Sequence, residues 1–263
     1  MNGAADLEGP PIIRYWELDL LRGVAVTMMI GFHALYDLDY LSGPGLVDVH
    51  SGIWRAFALA TASIFLLLVG ISLTISSARA RIRGEENFGR YLRRGGVIFS
   101  WGGVITVSTI LLLEEGYILF GVLHLIGASI ILSPPFTRRP YRALLGGSAA
   151  VSAGIFLRQI SIDTPWLLWI GLAPRGFYSL DYFPLAPWFG VVLLGISLGG
   201  FLYPDGERRF HLPDLSFRTP AKELSILGRN SLAIYLLHQP ALIISMEILG
   251  VIDLSERITF NIP

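Results

Sequence analysis

Seven stretches of this chain are strongly apolar, roughly 15 to 27 residues long and separated by charged or glycine-proline intervals. A soluble core has no use for so many segments of that length. They suit helices that cross a hydrocarbon layer ~30 Å thick, where only a helix or a closed barrel can satisfy its own backbone. The runs predict helices near Leu18 to Leu38, Ile53 to Ser77, Gly95 to Leu113, Ile118 to Ser133, Ala143 to Leu157, Ala186 to Tyr203 and Ser225 to Val251. The expected fold is therefore all-α: a polytopic transmembrane bundle of about seven to eight helices, read as one domain over residues 1–263 with a short tail, 1–16, ahead of it.

Composition agrees. Of 263 residues 53% are hydrophobic and 15% charged, with mean hydropathy +0.60, where a soluble domain carries about 25% charged residues. The chain has no cysteine, which removes disulfides, thiolate zinc sites and a cysteine nucleophile from consideration. No basic tract suggests nucleic acid, no ligand spacing suggests a metal, and the glycine pairs match neither a phosphate loop nor a dinucleotide fingerprint. Acidic residues and prolines precede the first apolar run, unlike the basic start of a cleaved leader, so that helix is expected to be retained. Glycine pairs at Gly95-Gly96, Gly102-Gly103 and Gly146-Gly147 are expected to let helices approach closely. Pro240 is expected to break the last helix, and Trp166 to Ala173 is too short to span, which suits a re-entrant or interfacial segment.

Lys and Arg divide unevenly between alternate connections. Arg14, Arg22, Arg79, Arg81, Arg83, Arg90, Arg93, Arg94, Arg138, Arg139, Arg142, Arg208, Arg209, Arg218, Lys222 and Arg229 fall on one side, against Arg55, Arg158, Arg175 and Arg257 on the other. The richer side is cytoplasmic by the positive-inside rule, which puts the N-terminus inside and the segment Asp39 to Trp54 outside, and the expected location is the cell membrane.

The first helix holds ionisable residues that an idle span avoids. Arg22 and His33 are eleven residues apart, about 1100° of rotation, so one helical face carries both with ~16 Å between them. Asp19 lies within reach of Arg22 and Asp37 within reach of His33. A histidine beside a carboxylate has the make-up of a general base, while the same residues also suit plain capping and helix-to-helix bonding. Arg90, Arg93 and Arg94, placed just before the third helix, suit either a topology signal or a clamp for a phosphate-bearing ligand. His124, Asn230 and His238 are polar positions in or beside apolar spans. Asp48 and His50 stand in the external loop, His50 as a candidate nucleophile or proton carrier.

These residues sit in a familiar order. ELDLLRGVAVTMMIGFHALYD, FLLLVGISL, FGVLHLIGASIIL, FPLAPWFGVVLLGISLG and LGRNSLAIYLLHQP resemble the heparan-alpha-glucosaminide N-acetyltransferase catalytic-domain family over Arg14 to Pro240. Arg22 with His33, and Arg90 with Arg93, resemble the signatures of the broader type 3 transmembrane acyltransferases. The resemblance implies acetyl-CoA as co-substrate, taken from the cytosol, and delivery of the acyl group to a glycan or glycolipid-like acceptor on the far side. It implies Arg22, Arg90, Arg93 and Arg94 toward the CoA phosphates, His33, Asp37 or His50 in the chemistry, and Asp19, Asp48, His124, Asn230 and His238 along the cavity. The lysosomal family member carries Asn where this chain has His33, and its catalytic histidine falls in the external loop, so the base stays open between His33 and His50. The absence of that member's extra N-terminal segment makes heparan sulfate an unexpected substrate. Two rivals share these features: a carrier whose histidines relay protons without acyl transfer, and a non-catalytic subunit. Membrane lipids are the surrounding partner, and a homo-oligomer is allowed.

The charge split is testable in the cysteine-free background. A membrane-impermeant thiol reagent applied outside should label a cysteine introduced at Ser42 or Ser51, and should not label one at Gly84 or Ser216. Reversed labelling would overturn the orientation.

Overall fold

The computed structural model describes residues 14–42, 48–49 and 51–251, and the chain divides into two compact units. The described residues are all-α, with one isolated bridge between Ser161 and Ala173 and no strand. Five helices are long and apolar enough to cross a membrane: Trp16–Asp39, Gly52–Ile82, Phe88–Leu112, Leu185–Leu202 and Ser231–Ile248. Large apolar side chains such as Val97, Val104, Val107, Leu111 and Leu112 lie exposed, as lipid-facing residues do.

The first unit comprises residues 1–61 and 213–263. It contains α1 (Trp16–Ser42), the opening turns of α2 (Gly52–Ile82), α8 (Ala221–Arg229) and α9 (Ser231–Ile248). Its main contact is α1 on α8, at two glycines. A side chain at Gly23 would collide with the Leu224 carbonyl, and one at Gly228 with the Asp19 carbonyl. The two backbones therefore touch, which in lipid substitutes for the missing hydrophobic drive between helices.

The last apolar run breaks at a different residue from the one expected. Asn230 (φ −100°, ψ 14°) separates α8 from α9, whereas Pro240 lies inside α9 without interrupting it. At Asn230 the side-chain amide and the backbone N–H both donate to the Ile226 carbonyl, at 2.9 and 3.3 Å, closing the end of α8. Pro240 forfeits only one backbone bond, and the helix runs through it.

The second unit, residues 62–212, holds the rest of α2 with α3 (Phe88–Leu112), α4 (Val122–Leu132), α5 (Pro134–Thr137), α6 (Pro140–Leu157) and α7 (Leu185–Leu202). Here too glycines set the crossings. Gly95 on α3 faces Gly127 on α4, and Gly147 on α6 faces Gly190 on α7, each reciprocally against the other's carbonyl. Of the pairs noted in the sequence, Gly95, Gly102 and Gly147 lie at close approaches, while Gly96 and Gly103 face open space. Helix α3 begins at Phe88, earlier than the apolar run, because the Asn87 side chain accepts the Arg90 backbone N–H at 2.9 Å. Arg90, Arg93 and Arg94 thus lie within its first two turns. With eleven residues, α4 is about 16 Å long and shorter than a bilayer core. The Trp166 to Ala173 segment forms one 3-10 turn, Pro165–Leu167, then irregular backbone tied to α7 through Leu185 N–H to the Trp169 carbonyl at 2.8 Å.

Gly228→Val should therefore pry α8 from α1, with a loss of about 1–3 kcal/mol or more from overpacking. The readout is the melting temperature of purified protein. A matched Gly103→Val, at a position with open space, should melt close to wild type.

Candidate functional site

Three groups of polar side chains lie within the apolar helices or at their ends, and their hydrogen bonding separates those that are tied from those that are not. The first is ionic. Buried Asp19 on α1 accepts from Arg22 Nη1 at 2.8 Å and lies 3.3 Å from Arg229 Nε of α8. The Asp19–Arg22 pair expected from their spacing is present, and Arg229, not foreseen as its partner, fixes α8 to α1 at the Gly23–Gly228 crossing.

The second group joins α1 to α9. The His33 and His238 rings lie 4.8 Å apart between centroids, at 60° to one another. One turn along α1, Asp37 Oδ1 accepts from Gln239 Nε2 at 2.7 Å. Asp37 is thus bonded to Gln239, and no hydrogen bond or ion pair links it to His33 among the described residues. His238 Nδ1 lies 2.6 Å from the Tyr235 carbonyl. A carbonyl only accepts, so Nδ1 carries the hydrogen and the neutral ring's lone pair is on Nε2. Gln239 was overlooked in the sequence; its signal was a polar residue just before a proline in an apolar span.

The third group lies in the second unit. A small cleft is lined by Leu73, Ser76, Ser77, Ala80, Arg90, Tyr91, Arg94 and Ile130. Arg94 donates to Ser76 Oγ at 3.2 Å, and Arg90 pairs with exposed Glu85 at 3.4 Å. Of the expected arginine cluster, Arg90 and Arg94 share this cleft, whereas exposed Arg93 is not among its lining residues. Beside it, Glu86 accepts from Ser77 Oγ at 2.9 Å, Tyr91 Oη at 3.2 Å and the Arg138 guanidinium. Burial alone would raise the Glu86 carboxyl, but the hydrogen bonds from Arg138 and Ser77, the Arg138 charge and the Tyr91 hydroxyl outweigh it and hold the group below its ordinary value.

Other candidate residues have structural surroundings. His124 is buried, its Nδ1 accepting the Gly121 N–H at 3.3 Å and its ring stacked on Phe120 and edge-on to Phe99. Asp181 completes that helix start by accepting the Val122 N–H at 3.0 Å. Asn230 is the exposed break between α8 and α9. Asp48 is exposed and accepts from Ser51 Oγ, and His50 lies outside the described residues. No group of three or more His, Cys, Asp or Glu that could hold a metal occurs among the described residues.

All-helical in its described residues, with five helices long and apolar enough to cross a membrane, the chain is an integral membrane protein whose spans carry half-buried imidazoles and a buried carboxylate. Residues 14–240 match the model of the heparan-alpha-glucosaminide N-acetyltransferase catalytic family, and the chain belongs to that family. It is a transmembrane transferase of an acetyltransferase family. No curated protein and no solved structure matches it.

The depressed Glu86 carboxyl stabilises the folded state at pH above its unfolded value, and this contribution is lost as pH falls through the folded value. Melting temperature should therefore fall on acidification below the ordinary carboxylate range. Glu86→Gln should melt lower than wild type at neutral pH and show a shallower acid dependence; parallel curves would show that Glu86 carries none of it.

Proposed function

We propose that this protein moves an acetyl or other acyl group from cytosolic acyl-CoA to a sugar amine or hydroxyl on the far side of the membrane. The observation that carries this reading is the contact of His33 with His238 between two spanning helices, in a chain of an acetyltransferase family. An imidazole pair held in an apolar span supplies a proton acceptor where water is scarce, which acyl transfer to an amine or hydroxyl needs. In direct transfer, His33 takes the acceptor's proton as its oxygen or nitrogen attacks the thioester carbonyl, and CoA leaves as the thiol after reprotonation. In a two-step path the acyl group rests first on His50.

Arg90 and Arg94 are the proposed donor-binding residues of the second unit. They share one cleft, as a phosphate clamp requires, with Tyr91 buried between them on the same helix. Arg93 keeps its proposed place only as an outer cation. The N-terminus is proposed as cytoplasmic, which gives these arginines access to the cytosolic donor.

Purified protein given labelled acetyl-CoA and a mixture of sugar acceptors should release CoA. His33→Ala should retain CoA binding and lose about 10²-fold or more in turnover. Near-normal turnover with intact binding would move the base to His50, and His50→Ala would then be the more severe variant. Binding without CoA release in wild type would leave a carrier in place of an enzyme.

A further inference from the structure

The contact between α1 and α9 contains more hydrogen-bonding capacity than the described residues use. Asp37 Oδ2, Gln239 Oε1 and His238 Nε2 are all buried and have no hydrogen-bond partner there. Buried polar atoms are almost always satisfied, by protein, by solvent or by a ligand, because an unmet one costs about 1–3 kcal/mol. Three on adjoining residues of one helix crossing are not accidental packing. Asp37 is only 4% exposed, so its carboxylate is withdrawn from bulk water while one oxygen stays open.

The chemical kind of these atoms is informative. A carboxylate oxygen and an amide oxygen only accept. With Nδ1–H committed to the Tyr235 carbonyl, the neutral His238 ring offers only a lone pair at Nε2. The open valences are thus three acceptors. A ligand that satisfies them must bring hydrogens: several hydroxyls, or an ammonium group with a hydroxyl beside it. An apolar chain, a ketone or a phosphate would leave them unmet, and a phosphate would also be repelled by Asp37. The Gln239–Asp37 hydrogen bond at 2.7 Å holds two of the three acceptors in a fixed relation, as a recognition site requires.

We infer that Asp37, His238 and Gln239 form a binding site for a polyhydroxyl or amino-bearing molecule, recognised through its hydrogen-bond donors. Assigning that molecule as the acyl acceptor rests on the acyltransferase reading; the existence of the Asp37–His238–Gln239 site does not. His33, against His238, adjoins the bound group.

The test is equilibrium binding to the full chain in lipid nanodiscs, with three probes: methyl glucoside, glucosamine and tetra-O-methyl methyl glucoside, which has the same ring with every hydroxyl hydrogen removed. Methyl glucoside or glucosamine should bind and the O-methylated sugar should not; preference between the first two tells hydroxyl from ammonium recognition. Asp37→Asn and Gln239→Met should each weaken binding at least about tenfold, and Asp37→Asn should weaken glucosamine more than methyl glucoside. Ser245→Ala, on α9 but bonded to its own helix at Ala241, should leave affinity unchanged. The inference is overturned if neither donor-bearing probe binds, if the O-methylated sugar binds equally well, or if both variants bind within about twofold of wild type while only their melting temperature falls. Acetyl-CoA binding and CoA release are measured on the same samples. Their failure with sugar binding intact would sink the acyltransferase reading and leave the site; the reverse would sink the site alone.

Discussion

Lipid removes the force that assembles soluble proteins, because an apolar side chain gains nothing by leaving hydrocarbon for another helix. What remains is close van der Waals approach and hydrogen bonding, and the described helices use both. Gly23 and Gly228, Gly95 and Gly127, and Gly147 and Gly190 bring backbones into direct contact. Each crossing depends on the absence of a single methyl group, so the packing of each unit is specified at a few points rather than spread over a large core.

Polar groups then act as fasteners or remain as open valences. Asp19 takes two arginines and locks α8 to α1. Glu86 gathers Ser77, Tyr91 and Arg138 and ties the α2–α3 connection to α5. His124 starts α4 between two phenylalanines. Both carboxylates are engaged at each oxygen, and the His124 ring at Nδ1. Asp37, Gln239 and His238 are different, because each combines one fixed hydrogen bond with one open acceptor. One bond holds the side chain in place, and the other atom is left for a ligand.

Much of the fold could be read from hydropathy, because the solvent imposes it: a span must be helical and of bilayer length whatever its neighbours are. The Asp19–Arg22 pair was readable for a similar reason, being set by the helical repeat alone. The same reasoning paired His33 with Asp37, four residues apart, but Asp37 bonds Gln239 some 200 positions later in the chain. Local spacing gives the options, and the nearest partner on another helix takes the bond. The helix break shows the same competition. Pro240 is the stronger breaker by intrinsic preference, yet α9 continues through it, and the chain turns at Asn230, whose backbone leaves the helical region.

By itself, then, the sequence determined the solvent, the helical class, the five long spans and which of their residues are too polar to be idle, since each depends on a residue and its near neighbours along one helix. Which polar residues are used up in holding the fold, and which are left to act, was decided only by tertiary structure. Arg90 shares a cleft with Arg94 rather than Arg93 because Ser76 and Ser77 of α2 lie on that side of the helix. Gln239 became part of a site because α1 presents Asp37 to it. A hydrogen bond is satisfied or open according to what lies within about 3 Å, and for residues on different helices that distance exists only once the chain has folded.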